Sequence, residues 1–497
     1  MNQIFIGIDH GGTNTTALVL DLNKGILSTA SISMPKYTPK DGWVEHSPDD
    51  FLDTSIQACD LALKKAELKW SDVNSIALAN QGETSMAWDE KSNLFSTAIS
   101  WEDRRTEKIC NELKKENVDQ LIRDKTGILL DPYFSASKFK WLLQNEKKLS
   151  SSIKRKHLRL GGTDTYVIDR LTKGSVFATD KGTASRTSLL NIYSGEWDEE
   201  LTGAFNIETN SLPNLKKTID DYGLINHPNI PSSKIKITAD VVDAHAALFA
   251  HGCVDSSRIK ATYGTGAFIE INTGKKMLKP DGLLPIFIAW ELNKGIEYTI
   301  EGGVFSVGST IDWLFKNHFL KDINSSSDLI ENIKGKNSVF MIPSFTGLSA
   351  PHWISNAKAI INGIGLDTTK EDIIKAAFDG IAFQCAEVIN LLAQKQDNEI
   401  FEVCADGGPA NNNYLMQKQS DLLNMEVKVS KEKNMTAFGA ALLAALGANQ
   451  IKLTDLKDFA VDYETFTPRI SSDQREYEWD IWNKNIQILK GDRKKYE

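Results

Sequence analysis

Residues 4 to 21 read IFIGIDHGGTNTTALVLD, and this stretch narrows the choice of fold more than any other. An apolar, β-branched run (Ile4, Phe5, Ile6, Ile8) stops at Asp9. Gly11 and Gly12 follow, then the hydroxyl and amide cluster Thr13, Asn14, Thr15, Thr16, then a second apolar run. The pattern predicts strand, tight turn, strand. Two adjacent glycines open backbone conformations closed to residues with a side chain, so the amides of Gly12, Thr13 and Asn14 can converge on an anion. A carboxylate at the strand end cannot touch phosphate directly. It can hold a hydrated Mg²⁺ that does, because this ion prefers oxygen ligands and keeps several waters, and Asp9 is the candidate. The stretch is neither GxGxxG nor GxxxxGK[ST], which argues against a dinucleotide fingerprint or a P-loop. Taken alone, it leaves an ordinary glycine hairpin open as a reading.

The same logic restarts at Arg258 to Thr273, RIKATYGTGAFIEINT, where a strand meets the glycine turn Gly264, Thr265, Gly266 and a second strand follows. A repeat at about half the chain suggests a duplicated two-lobe architecture more than a solenoid. With 497 residues the chain is too long for one core, which agrees. The net charge of -9 argues against nucleic acid or an anionic membrane as the main partner. A small anionic ligand would then need local backbone amides or a metal. Cys59, Cys110, Cys253, Cys385 and Cys404 are odd in number and lack CxxC spacing, so they read as reduced thiols. No signal-type N-terminus and no uninterrupted apolar run of bilayer-spanning length are read, so the expectation is a cytoplasmic protein without membrane insertion.

Between the hairpins, helices are expected over 50–66, with Asp49 and Asp50 at the cap, and after Trp101 to Thr106, Asp131 to Ser135 and Leu158 to Asp164. Ser75 to Ala79 reads as a short buried strand ending in Asn80-Gln81-Gly82-Glu83-Thr84, polar residues where open α/β sheets place ligands. Thr183 to Asn191 reads as strand-like, and 208–236 as surface connection. Asp243 opens a helix, where a plain capping acid is the alternative. In the second half, Lys370 to Gln394 reads as a long amphipathic helix. Phe401 to Ala405 reads as a strand ending in Asp406-Gly407-Gly408-Pro409, a joint that lets a flat ring approach and aims amides at a phosphate. Thr436 to Leu446 is an Ala-rich helix able to pack very closely.

GWVEH (Gly42 to His46), NQGET (Asn80 to Thr84), WEDRRT (Trp101 to Thr106), DPYFSASK (Asp131 to Lys138), ASRTSLLNI (Ala184 to Ile192), TYGTGAF (Thr262 to Phe268), FTGLSAPHW (Phe345 to Trp353) and DGGPANNNYLMQ (Asp406 to Gln417) come in a fixed order. Together they resemble the FGGY carbohydrate kinases, of the superfamily that also holds actin and the chaperone ATPases, and most closely the members acting on glycerol. The resemblance implies two ribonuclease-H-like lobes, each a mixed sheet flanked by helices, with MgATP and a polyol in a central cleft. Residues 1–252 would form the half holding the polyol and the base, and 253–497 the nucleotide half. Asp243 would be the general base in phosphoryl transfer to a terminal hydroxyl, from glycerol to sn-glycerol 3-phosphate. Glu83, Trp101, Tyr133, Asp243 and Phe268 would line the acceptor. Gly12, Thr13, Asn14, Thr265 and Gly266 would line the phosphates, and Gly308, Asp312, Gly408 and Asn412 would meet the nucleoside, with Asp9 on the metal. A homo-oligomer, dimer or tetramer, is expected.

The chain departs from that pattern at Gly82, where glycerol-phosphorylating members carry Arg, and at Ala244, where they carry Gln. Thr16 stands where the hairpin has Arg, and Asp312 where a Gln lies near adenine. A pocket larger and less polar at one end is expected, which keeps another sugar or sugar alcohol, such as erythritol or a pentulose, as an alternative. An actin-like or chaperone-like ATPase is the remaining one, and the retained polyol-lining residues speak against it. No match at 229–236 is found to a bisphosphate-binding loop of some relatives, so no such feedback is expected.

Overall fold

The computed structural model describes residues 3–491, apart from 147–148, 150–156, 233, 323–324, 332, 334–338, 355, 397–399 and 401. It divides into two compact units. The first comprises 1–254, 273–299 and 434–460, and the second 255–272, 300–433 and 461–497.

The first unit is built on a five-stranded sheet in the order Lys236–Val242, Val73–Asn80, Ile4–His10, Asn14–Asp21, Gly25–Ser33. The first three strands are parallel, and the last two close an antiparallel meander. Ile4, Ile6, Ile8, Val19, Ile76, Leu78 and Ile237 point into one core with Phe51, Ile56 and Leu63 of the helix Pro48–Lys65. That helix begins two residues earlier than the acidic pair suggests. Ser47 is the cap residue, Pro48 occupies the first turn, and Asp49 and Asp50 sit where the helix dipole favours them.

Against the sheet lies Met435–Gly447, a helix apolar on all sides and buried from Met435 to Leu446 except Thr436. Such a helix needs neighbours all round, and small residues let them come close. A β-carbon at Gly7 would lie 1.9 Å from the Ala437 carbonyl oxygen. The hydroxyls of Ser75 and Thr238 both donate to the Ala444 carbonyl, at 3.2 and 2.9 Å.

Two local expectations change. Thr183 to Asn191 is not a strand: Lys181–Ser185 is a single helical turn, because Asp180 accepts from the amides of Gly182 and Thr183 and caps it. Only Leu190–Asn191 is extended. The 208–236 connection carries Asn214–Lys216, parallel to Ala178–Asp180, and buries Tyr222, Ile225, Ile230 and Ile235. Its polar composition hid a buried apolar minority.

The second unit repeats the strand order. Arg258–Tyr263 pairs antiparallel with Ala267–Gly274 and parallel with Glu402–Asp406, which in turn runs parallel to Glu426–Ser430. Tyr463–Phe466 closes the edge, antiparallel to Glu426–Ser430. The Lys370–Gln394 helix starts in a Thr369/Asp372 capping box. It is long and apolar enough to cross a membrane by composition, and most of it is buried as core, including Ile374, Ala377, Ile381 and Cys385. The five cysteines are free and buried. The mixed sheets flanked by helices are those of the actin-like ATPase fold.

Candidate active site

In the first unit, Asp9 is the penultimate residue of the central strand Ile4–His10, and Asp243 opens the helix Asp243–Ala250 that follows the parallel edge strand. Parallel strands lead both acids to the same edge of the sheet. Their charges meet there: burial, and then the Asp243 carboxylate, push the Asp9 pKa up to about 8. Asp243 is half-buried and its Oδ1 accepts from the amide of Ala244 at 2.6 Å. Two close carboxylates are the donor chemistry a hard divalent cation takes. Among the described residues no cluster of three or more His, Cys, Asp or Glu could cage an ion. Mg²⁺ suits such a place, since it is held by one or two carboxylates and retains waters.

The glycine hairpin follows Asp9 directly in sequence and is closed by Gly11 N–H donating to the Asn14 carbonyl at 3.0 Å. Neither Gly11 nor Gly12 has a positive φ, so the pair is not needed for a left-handed turn. What the site gains is room: a β-carbon at Gly12 would meet only Gln81 Oε1 and the Trp101 indole nitrogen, at 3.8 and 3.9 Å. Thr13 and Asn14 are exposed. Thr16, which stands opposite Asp9 in the strand pair, pairs its hydroxyl with Ser31 at 2.9 Å.

Trp101 packs edge-on to Tyr133, with ring centroids 5.8 Å apart, so the two expected acceptor aromatics are together and next to Gly12. Trp101 follows a strand pair made by Glu45–His46 and Ala98–Ile99, and its loop is pinned by Arg105. That guanidinium ion-pairs with Asp103 and Glu45, each at 2.7 Å, and lies over Trp43 and Trp141, 3.7 and 4.9 Å from their centroids.

Glu83 is buried, and its carboxyl is raised above the ordinary range by burial, opposed by Arg186 and Lys138 and aided by Asp243. Arg186 Nη1 lies 3.3 Å from Glu83 Oε1. Lys138, fully buried and pushed down to about 8 by desolvation, donates to the Tyr133 carbonyl. Sequence reasoning passed over Gln81, Lys138 and Arg186, although all three lie in motifs quoted above. Polar and charged residues inside otherwise buried motifs were the available signal. Arg186 lies close over Gly82, where a β-carbon would meet its Cδ at 2.8 Å.

In the second unit, Gly264 N–H donates to the Gly266 carbonyl at 2.7 Å, and the helix Gly308–Lys316 starts against this turn. Gly308 N–H reaches the Gly264 carbonyl at 3.0 Å and Ser309 N–H the Thr265 carbonyl at 3.2 Å. Thr265, Gly266 and Gly308 are thus one cluster. A side chain at 266 would strike the Val304 carbonyl at 2.5 Å. Phe268 is half-buried in the strand beyond, and Asp312 is exposed on the helix. Gly407, at φ +93°, sits where a β-carbon would lie 2.0 Å from the Tyr263 carbonyl, whereas nothing is within 4 Å of one at Gly408. That open face fits a flat ring. Asn412 caps the helix Asn413–Leu423, accepting from Leu415 N–H at 2.9 Å and donating to Ser326 at 2.6 Å, so its amide is already engaged.

Comparison with known proteins places the chain in a family. The chain is 34% identical over 487 residues to glycerol kinase 1 of Thermotoga maritima, covering 97% of this chain and 99% of that one. It is 37% identical over 463 residues to a glycerol kinase of Bdellovibrio bacteriovorus, covering 92% and 93%. The structure of Plasmodium falciparum glycerol kinase with ADP superposes with a TM-score of 0.91 at 30% identity, covering 98% of each chain. A xylulose kinase from Lactobacillus acidophilus shares the fold, with a TM-score of 0.88 at 21% identity over 99% and 100%. Residues 4–250 match the N-terminal domain and residues 259–448 the C-terminal domain of the FGGY family of carbohydrate kinases, and the chain belongs to that family.

Proposed function

We propose that the protein is an ATP-dependent glycerol kinase that forms sn-glycerol 3-phosphate. The observation that carries this reading is the meeting of Asp9 and Asp243 at one sheet edge, in the same unit as the Trp101–Tyr133 pair beside Gly12. The named relatives, glycerol kinases over nearly the full chain, support the substrate.

An alcohol is a weak nucleophile, so a carboxylate within hydrogen-bond reach must orient it and accept its proton. Asp243 does this. The freed oxygen attacks the γ-phosphorus, the bond to the β–γ bridging oxygen breaks, and ADP leaves with that electron pair. Glu83 accepts hydrogen bonds from acceptor hydroxyls, while Trp101, Tyr133 and Phe268 cover its carbon chain and keep water out. Gly12, Thr13, Asn14, Thr265 and Gly266 present backbone to the phosphates. Gly308, Asp312, Gly408 and Asn412 border the nucleoside, with Gly408 offering the open face. Asp9 would hold Mg²⁺ through its water shell, an ion that supplies positive charge at the phosphates. By chain order 1–252 would be the acceptor and base half and 253–497 the nucleotide half, with segments 273–299 and 434–460 of the latter packed into the first unit. A cytoplasmic homo-oligomer, dimer or tetramer, completes the proposal.

A coupled ADP-release assay over three- to six-carbon polyols and ketoses tests it. Glycerol should give the highest kcat/KM, and Asp243→Asn should lose activity by roughly three or more orders of magnitude while ATP still binds. ADP release independent of every polyol would refute it. A second reading, a kinase for erythritol or a pentulose, draws on Gly82 and Ala244, which remove two polar side chains. It predicts that a larger acceptor outcompetes glycerol.

A further inference from the structure

Arg186 ends the helical turn Lys181–Ser185, in the part of ASRTSLLNI to which no role falls. It is 2% exposed, faces Glu83 Oε1 at 3.3 Å, and its guanidinium carbon stands 4.0 Å from the centroid of Phe287. The room for this arrangement comes from Gly82. A β-carbon there would lie 2.8 Å from Arg186 Cδ, closer than side chains tolerate, and 3.3 Å from its Nε, a tight contact. Gly82 thus leaves Arg186 seated close over its backbone.

We propose that Arg186 is a positioning residue for acceptor specificity: lodged over Gly82 and stacked on Phe287, it keeps Glu83 ionised and aimed at the acceptor hydroxyls. The inference rests on the reading of Glu83 as an acceptor ligand. Three charged groups face that carboxyl: Arg186 and Lys138 favour its ionised form, and Asp243 opposes it, as does burial. With Arg186 removed, burial and Asp243 are opposed by Lys138 alone. Glu83 then takes up its proton at higher pH, and an acid that holds its proton no longer accepts two hydroxyl hydrogen bonds.

The test compares wild type, Arg186→Ala, Arg186→Lys, Gly82→Ala and Glu83→Gln, with the double variants, by steady-state kinetics in both substrates and by melting curves. Arg186→Ala should raise the acceptor KM by roughly 30-fold or more with little change in the KM for ATP. It should also move the acidic limb of kcat/KM for the acceptor to higher pH. Arg186→Lys, which keeps the charge but not the flat stacking group, should recover part of the loss. Gly82→Ala should displace the guanidinium and reproduce the defect, and the double variant with Arg186→Ala should be no worse than either alone. In a Glu83→Gln background, removing Arg186 should leave the pH profile where it was.

Multiplying effects at 82 and 186, a limb that still moves without Glu83, or parallel rises in both KM values would overturn the proposal. So would a wild-type acceptor KM in a folded Arg186→Ala. If wild-type enzyme releases no ADP in response to any polyol or ketose, the kinase reading fails first and takes this inference with it, a result distinct from any variant pattern.

Discussion

A close backbone approach between two helices beneath the proposed base makes a glycine outside the pocket a determinant of turnover. Gly439 lies in Met435–Gly447, and a β-carbon on it would stand 1.9 Å from the Ala246 carbonyl oxygen, 2.7 Å from its carbon and 3.2 Å from the Ala250 β-carbon. Ordinary contact begins near 3.4 Å, so Gly439→Ala must part the helices by roughly 1.5 Å, since close-packed interiors have no slack to absorb it. The other side of Met435–Gly447 is backed by the sheet, with Gly7 against Ala437 and Ser75 and Thr238 against Ala444. The short helix Asp243–Ala250 is the part able to give, and Asp243 is carried with Ala246 on it.

Overpacking costs about 1–3 kcal/mol, and replacing a helical glycine returns about 1 kcal/mol, so a net loss of about 0–2 kcal/mol is expected. A misplacement near 1 Å of a reacting group costs about 100-fold in rate. Gly439→Ala should therefore lower kcat about 100-fold, with the KM for ATP held, and lower the melting temperature by a few degrees. The control is Gly203→Ala, in the helix Glu199–Phe205, where nothing lies within 4 Å of the new carbon. It should be neutral for kcat and up to about 1 kcal/mol stabilising. A folded Gly439→Ala with kcat within about threefold of wild type would refute the claim that helix spacing sets the position of Asp243.

Three further outcomes are expected. Arg105→Ala should cost about 3–5 kcal/mol, because it strands the buried Asp103 carboxylate, and in urea melts a loss below about 1 kcal/mol would count against the clamp. Asp164, Asp180 and Asp240 are fully buried together and their carboxyls are raised by burial, Asp180 to about 6. Raised acids contribute stability that is present below their unfolded pKa and lost as pH rises through the folded value. Asp240→Asn should accordingly flatten the fall in melting temperature from pH 5 to pH 8, and an unchanged slope would show that Asp240 is not the group releasing the proton. Fructose 1,6-bisphosphate should leave activity unchanged, and clear inhibition would reveal a regulatory site elsewhere.

Much of the fold was legible because its signals are local. β-branched runs broken at Asp9 and Tyr263 by glycine turns marked both hairpins, and the motif series carried the family. The errors were also local in kind. Thr183 to Asn191 looks extended until Asp180 is seen to cap a helical turn. The polar 208–236 segment hides Tyr222, Ile225 and Ile230 among lysines and prolines. At the site, residues named by resemblance are placed in coherent groups, yet Arg186 escaped notice because the reason for its position is an empty space at Gly82, which no periodicity records.

The amino-acid order by itself settles which segments can be strands, where the chain turns and which acids end strands, since each follows from a few neighbouring residues. Tertiary structure alone decides that Asp9 and Asp243 share one edge, that Arg186 occupies the room left at Gly82, and that Met435–Gly447 joins the first unit. Contacts such as Ser75 to Ala444 span 369 positions. A helix apolar on every face states only that it must be buried, and the close fit of glycine against backbone determines where.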